Sequence, residues 1–117
     1  MIITGTRTIH VTFQRAGLHC YPGAAPEVKY LSAPHRHLFK FQVNVDVEHN
    51  DRDIEFHTLL NELEGQYDTG LLQLNNKSCE MIAEELALYI VNKYNRTTSV
   101  SVWEDGECGA TVSFSVM

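Results

Sequence analysis

Six histidines stand in this chain, and the types and spacing of three suit a metal ion. His35 and His37 form a His-x-His pair at the head of the segment APHRHLFKFQVNVDV. From Arg36 that segment alternates. Phe39, Phe41, Val43, Val45 and Val47 fall on one face, and Lys40, Gln42, Asn44, Asp46 and Glu48 fall on the other. A period of two predicts a half-buried strand, and both histidines share the parity of its apolar face. A buried imidazole needs a partner, which is a carbonyl, a water or a metal. His19 lies in a predicted loop that must return the chain to the sheet end where His35 begins. Three neutral imidazoles there suit zinc, with a fourth position open to water or substrate, as in catalytic rather than structural sites. The plain alternative is a pair of hydrogen-bonded sheet histidines. His10 has outward parity and reads as solvated, His49 reads as a turn residue, and His57 is held in reserve.

A carboxylate joins this set. In SVSVWEDGECGATVSF, Val100, Val102 and Glu104 share parity, so Glu104 ends the apolar face of a predicted strand. A charge there is costly unless paired. Either it escapes to water or a salt bridge, or it anchors a ligand with adjacent N–H donors. An amino-pyrimidinone ring, as in guanine or a pterin, offers such donors for a directional, charge-assisted pairing. On this reading Glu104 binds a ring rather than the metal. Glu80 and Ser78 open a predicted helix, where an acid favours the helix dipole and a serine can cap. Cys20 follows His19 directly, and a metal at His19 would favour its thiolate; an ordinary loop cysteine is the alternative.

The elements that must position these residues follow from the same patterns. Residues 2–14 read as a first strand and residues 15–34 as a loop, with a short helical turn from Pro26 to Leu31. The His-x-His segment is the second strand, ended by a turn at residues 49–51. Phe56, Leu59, Leu60 and Leu63 take helical spacing before Gly65. Residues 66–77 are polar and turn-rich. A second helix runs from its cap at Ser78 to about Tyr94. Strands near 98–104 and 109–116 form a closing hairpin. The order β-β-α-α-β-β predicts an α+β fold, a four-stranded antiparallel sheet with both helices on one face.

The 117 residues suit one domain, residues 1–117. The balance of 9 Lys+Arg against 15 Asp+Glu, a formal charge of −6, disfavours nonspecific nucleic-acid binding, which needs a positive surface. An anionic small substrate stays open to a locally positive site. No signal peptide or membrane-spanning run is expected. The odd cysteine count, 3, suggests no complete disulfide framework and points to a reducing cytoplasm.

Together these residues resemble the 6-pyruvoyl-tetrahydropterin synthase and 6-carboxy-tetrahydropterin synthase family, over nearly the whole chain. The resemblance is carried by His19, then HRH with His35 and His37, then IEF with Glu55 and Phe56, then KSCE with Ser78, Cys79 and Glu80, and then VWEDGECGA with Glu104. It implies a T-fold, with Zn2+ on His19, His35 and His37. The pterin ring would be held by Glu104, aided by Glu80 and the backbone around Ser78 and Cys79. It further implies lyase-type chemistry on dihydroneopterin triphosphate or a related pterin or deazapurine precursor. Subunits would form a trimeric barrel stacked into a homohexamer, with sites between subunits. In such enzymes a cysteine moves protons with an Asp-His pair. Here residues 21–34 contain no cysteine, which leaves Cys20, and residues 66–77 contain Asp68 but no histidine. A zinc-containing pterin- or purine-binding protein without turnover is the alternative, and a structural oligomer with a relic pocket is a third.

Overall fold

Alternation carries two long strands, β1 (Arg7–His19) and β2 (His35–Val47), in the computed structural model, which describes all 117 residues. They pair antiparallel along their whole length, from Arg7 opposite Val47 to His19 opposite His35. The first strand therefore lies later than its sequence pattern suggests. Residues 2–6 are not strand, and residues 15–19, expected in the loop, extend β1 to the start of β2. The parity of Ile9, Val11 and Phe13 continues through Arg15 and Gly17 to His19. Gly17 leaves room there, since a Cβ would lie 2.9 Å from the Leu74 side chain and 3.1 Å from the Phe39 ring and would push on both. The shortened loop contains a 3-10 segment, Pro26–Ser32, where a helical turn was expected.

The chain continues through α1 (Phe56–Glu64), β3 (Leu72–Asn75), α2 (Cys79–Tyr94), β4 (Thr98–Glu104) and β5 (Cys108–Phe114). The fold is α+β, with a five-stranded mixed sheet in the order β3-β1-β2-β4-β5. The four-stranded antiparallel expectation describes β1, β2, β4 and β5 and omits β3, which lies parallel to β1 at the sheet edge. Leu72 and Leu74 point into the core while Gln73 and Asn75 point out, the same period-two rule over too few residues to stand out among turn residues.

Apolar side chains of β1, β2 and β4 pack under the helices. Phe13 and Phe41 stack with ring centroids 4.5 Å apart. Val43, Val45, Val100 and Val102 lie buried with Leu59 and Leu63 of α1 and Ile82 and Ile90 of α2. Ser78 caps α2 by accepting from the Met81 N–H at 3.2 Å, and Asn95 ends it in the left-handed conformation. Glu55 caps α1, accepting from His57 N and Thr58 N. No helix is long and apolar enough to cross a membrane.

Candidate metal centre

Register assembles the histidines. In the β1–β2 ladder His19 faces His35, and Gly17 faces His37. Because side chains alternate, His19, His35 and His37 all project from the helix-covered face at one sheet end. β4 adds Glu104, which pairs with Phe39 on β2. One potential ligand atom from each of His19, His35, His37 and Glu104 lies within 4.8 Å of the others. The three imidazole centroids are 4.6, 4.9 and 5.3 Å apart.

Each ring is oriented through its Nδ1. His19 Nδ1 donates to the Lys77 carbonyl at 2.9 Å, and His35 Nδ1 donates to the Ala33 carbonyl at 2.9 Å. His37 Nδ1 donates to the Asp105 carboxylate at 2.6 Å. A carbonyl or carboxylate oxygen only accepts, so each Nδ1 carries the proton and each Nε2 presents a lone pair. Holding Nδ1 in this way fixes the tautomer and ring direction that metal-binding histidines need.

The Nε2 atoms then meet a problem that a cation solves. His19 Nε2 and His37 Nε2 are buried with no hydrogen-bond partner. Glu104 Oε2 lies 3.3 Å from the first and 3.0 Å from the second. That is ion-pair distance, but in this tautomer neither nitrogen has a proton to donate. A second proton on His37 would satisfy one contact and leave His19 Nε2 alone. One divalent cation would satisfy every lone pair at once, so the residues fit a metal. The donor set, nitrogen with one carboxylate oxygen, is the type that zinc takes.

Asp105 is the supporting residue that the sequence pattern hides. It follows Glu104 in the β4–β5 turn, where Asp-Gly reads only as turn chemistry. Asp105 and Gly106 both have positive φ, 55° and 72°. The Asp105 carboxylate accepts from the Leu38 N–H at 2.8 Å as well as from His37. The Leu38 contact, followed by that of His37, holds this carboxyl below its ordinary pKa. β3 contributes in a similar way. Its last residue accepts from the Cys20 N–H at 2.8 Å, and the connection onward sets the Lys77 carbonyl against His19.

The centre opens onto a cavity of about 520 Å³. His19, Cys20, His35, Ser78, Cys79, Glu80, Glu104 and Cys108 all line it, so it gathers two of the three histidines with the residues expected to hold a ring, while His37 lies behind it. Cys79 is buried, and its thiol is pushed up to about 12, first by burial and then by the charges of Glu104, Glu80 and Cys108. It is therefore a protonated thiol at neutral pH. Asp68 is not brought to this cavity. It lines a separate concavity with Tyr67, Leu71, Gln73 and Glu85. His57 lines a third, near Arg7 and His49, and His10 is exposed as its parity implied.

No described protein family and no curated protein matches the sequence. The chain is similar in structure to an uncharacterized protein from Wolinella succinogenes, with a TM-score of 0.64 and 13% identity, over 94% of this chain and 99% of that one. At that identity the similarity establishes a shared fold.

Proposed function

We propose that this chain is a zinc-dependent T-fold protein that acts on a pterin or a related amino-pyrimidinone compound. The observation that carries the reading is the convergence of His19, His35, His37 and Glu104, one ligand atom of each within 4.8 Å of the others and each imidazole fixed by an Nδ1 hydrogen bond, beside a cavity that also holds Ser78, Cys79 and Glu80. Bound zinc would supply Lewis-acid polarisation of a ligand oxygen. His19, His35 and His37 hold the ion. Glu104 and Glu80 offer acceptors to the N–H groups of the ring, and the backbone at the start of α2 lines its edge. The T-fold reading rests on the antiparallel set β1, β2, β4 and β5 with helices on one face. β5 has a free outer edge of seven residues. Such an edge is a ready template for pairing, which supports closure into a trimeric or hexameric barrel.

Lyase-type turnover of dihydroneopterin triphosphate is the leading activity. The binding-only alternative gains from one observation: Asp68, offered for the acid–base pair, lies outside the cavity within the chain. Two measurements on the purified protein separate these readings. Metal analysis is expected to give about one zinc per chain. Incubation with dihydroneopterin triphosphate, followed by mass spectrometry, is expected to give a product with an altered side chain. Ligand binding without product selects the binding protein, and absence of both metal and binding overturns the proposal.

A further inference from the structure

The metal reading leaves a question about the fourth position, because a site that acts on a ligand needs it free. The distances address it. Glu104 Oε2 sits 3.0 Å from His37 Nε2 and 3.3 Å from His19 Nε2, within the group of atoms that would surround one ion. Its side chain is about a quarter exposed, 27%, and it lines the cavity from the end of β4. The carboxylate accepts no hydrogen bond from any backbone N–H or side chain, unlike the neighbouring Asp105, which accepts two. One cation at the centre would hold it against both imidazole nitrogens, which a proton on His37 alone would not.

We infer that Glu104 is a latch: in the ligand-free protein it closes the metal's fourth position, giving a three-histidine, one-glutamate centre, and it must leave before a ligand can reach the ion. This inference rests on the metal reading and assigns the regulation of that site. It also links the two roles open to this residue. The same oxygen cannot both close the metal and accept from the N–H groups of a bound ring. A ring whose two adjacent N–H groups take both carboxylate oxygens leaves none for the metal, so the centre opens when a ligand with that donor pair is present. With no ligand present, the closed centre resists small competing anions.

The test uses the full-length protein loaded with cobalt(II), whose visible spectrum reports coordination, and azide as the probe for an open position. Native protein is expected to bind cobalt and to change its spectrum only weakly with azide. Glu104→Ala is expected to keep the metal and to bind azide at least about tenfold more tightly, as a centre with one open position does. Glu104→Gln, which preserves size, is expected to fall between them and guards against misfolding of the alanine variant. Azide binding by the native protein as tight as that of both variants would overturn the latch while leaving the metal reading intact. Failure of the native protein to take up cobalt, with His37→Ala behaving identically, would overturn the metal reading itself.

Discussion

Two glutamates of this chain sit among several polar partners, and they do opposite things. Glu62, on α1, is saturated with donors. The hydroxyl of Tyr89 donates to Oε2 at 2.5 Å, the Lys93 ammonium donates to Oε2 at 2.6 Å, and the Tyr94 hydroxyl donates to Oε1. Glu104, on β4, faces two buried imidazole nitrogens without a hydrogen-bond partner, whose lone pairs its oxygens cannot satisfy when each ring carries its proton on Nδ1. The first arrangement is complete as it stands and joins α1 to α2. The second would be completed by one cation among its four side chains. Crowding of charged groups is thus a poor marker of function, and the count of donors against acceptors is a better one. At Glu62 the count closes. At Glu104 a single cation would close it.

The comparison breaks most sharply at the histidines. His37→Ala should lower metal affinity by more than about a hundredfold, beyond the usual loss from a supporting residue, while secondary structure by circular dichroism is retained. Titration with a chromophoric zinc chelator measures this, and an affinity equal to native would return His37 to the role of a plain sheet residue. Asp105→Asn should lower affinity by about ten- to hundredfold, because the amide can present a donor to His37 and disturb its tautomer. The same substitution keeps one oxygen for the Leu38 N–H. Unchanged affinity would mean that His37 holds its orientation by packing alone.

Glu62 should respond to substitution in the other currency, stability rather than metal. Glu62→Gln removes the charge and one acceptor oxygen from Tyr89, Lys93 and Tyr94. A loss on the order of 1–2 kcal/mol is expected from the unmet partners, read as an earlier midpoint in urea, with zinc stoichiometry unchanged. A drop in zinc content would show that the two regions are coupled and that the contrast drawn between them fails.

The legibility of these regions differs for physical reasons. β2 could be read in full because both its faces obey the two-residue period over thirteen residues, and the same parity put His35, His37 and Glu104 on the correct face. Parity does not give distance, so it could not show that Glu104 reaches the imidazoles. The sequence puts His19 at the correct sheet end but in a loop, whereas it is the last residue of β1. β3 was missed because four residues carry little pattern and its pairing with β1 is parallel and nonlocal. Asp105 was missed because an Asp-Gly turn has a sufficient local explanation. The Glu62 cluster joins residues from both helices, and helical spacing alone gives Tyr89 and Lys93 only a shared stripe.

The smallest expected effect is the pH dependence of the Glu62 cluster. Burial raises the pKa of this carboxyl, but the hydrogen bonds from Lys93, Tyr89 and Tyr94 outweigh it, and the net shift is downward. A carboxyl held lower in the folded chain than in the unfolded chain binds its proton more weakly when folded. Its stabilising contribution is therefore full above the ordinary carboxyl range and is lost as pH falls through the folded value. Asp53 adds to the same trend: its carboxyl is lowered by the Glu48 N–H and by Arg96. Urea midpoints should thus fall between neutral pH and the acid side of the ordinary carboxyl range. In Glu62→Gln the fall should be shallower, since one of the linked protons is gone, and the native and variant curves should converge toward acid. The measurement is best made on metal-free protein, so that proton competition at the histidines does not enter. Parallel curves for the two proteins would mean that Glu62 has the same proton affinity folded and unfolded. Its three donors would then be a contact without linkage, and the donor count would lose its value as the distinction between the two glutamates.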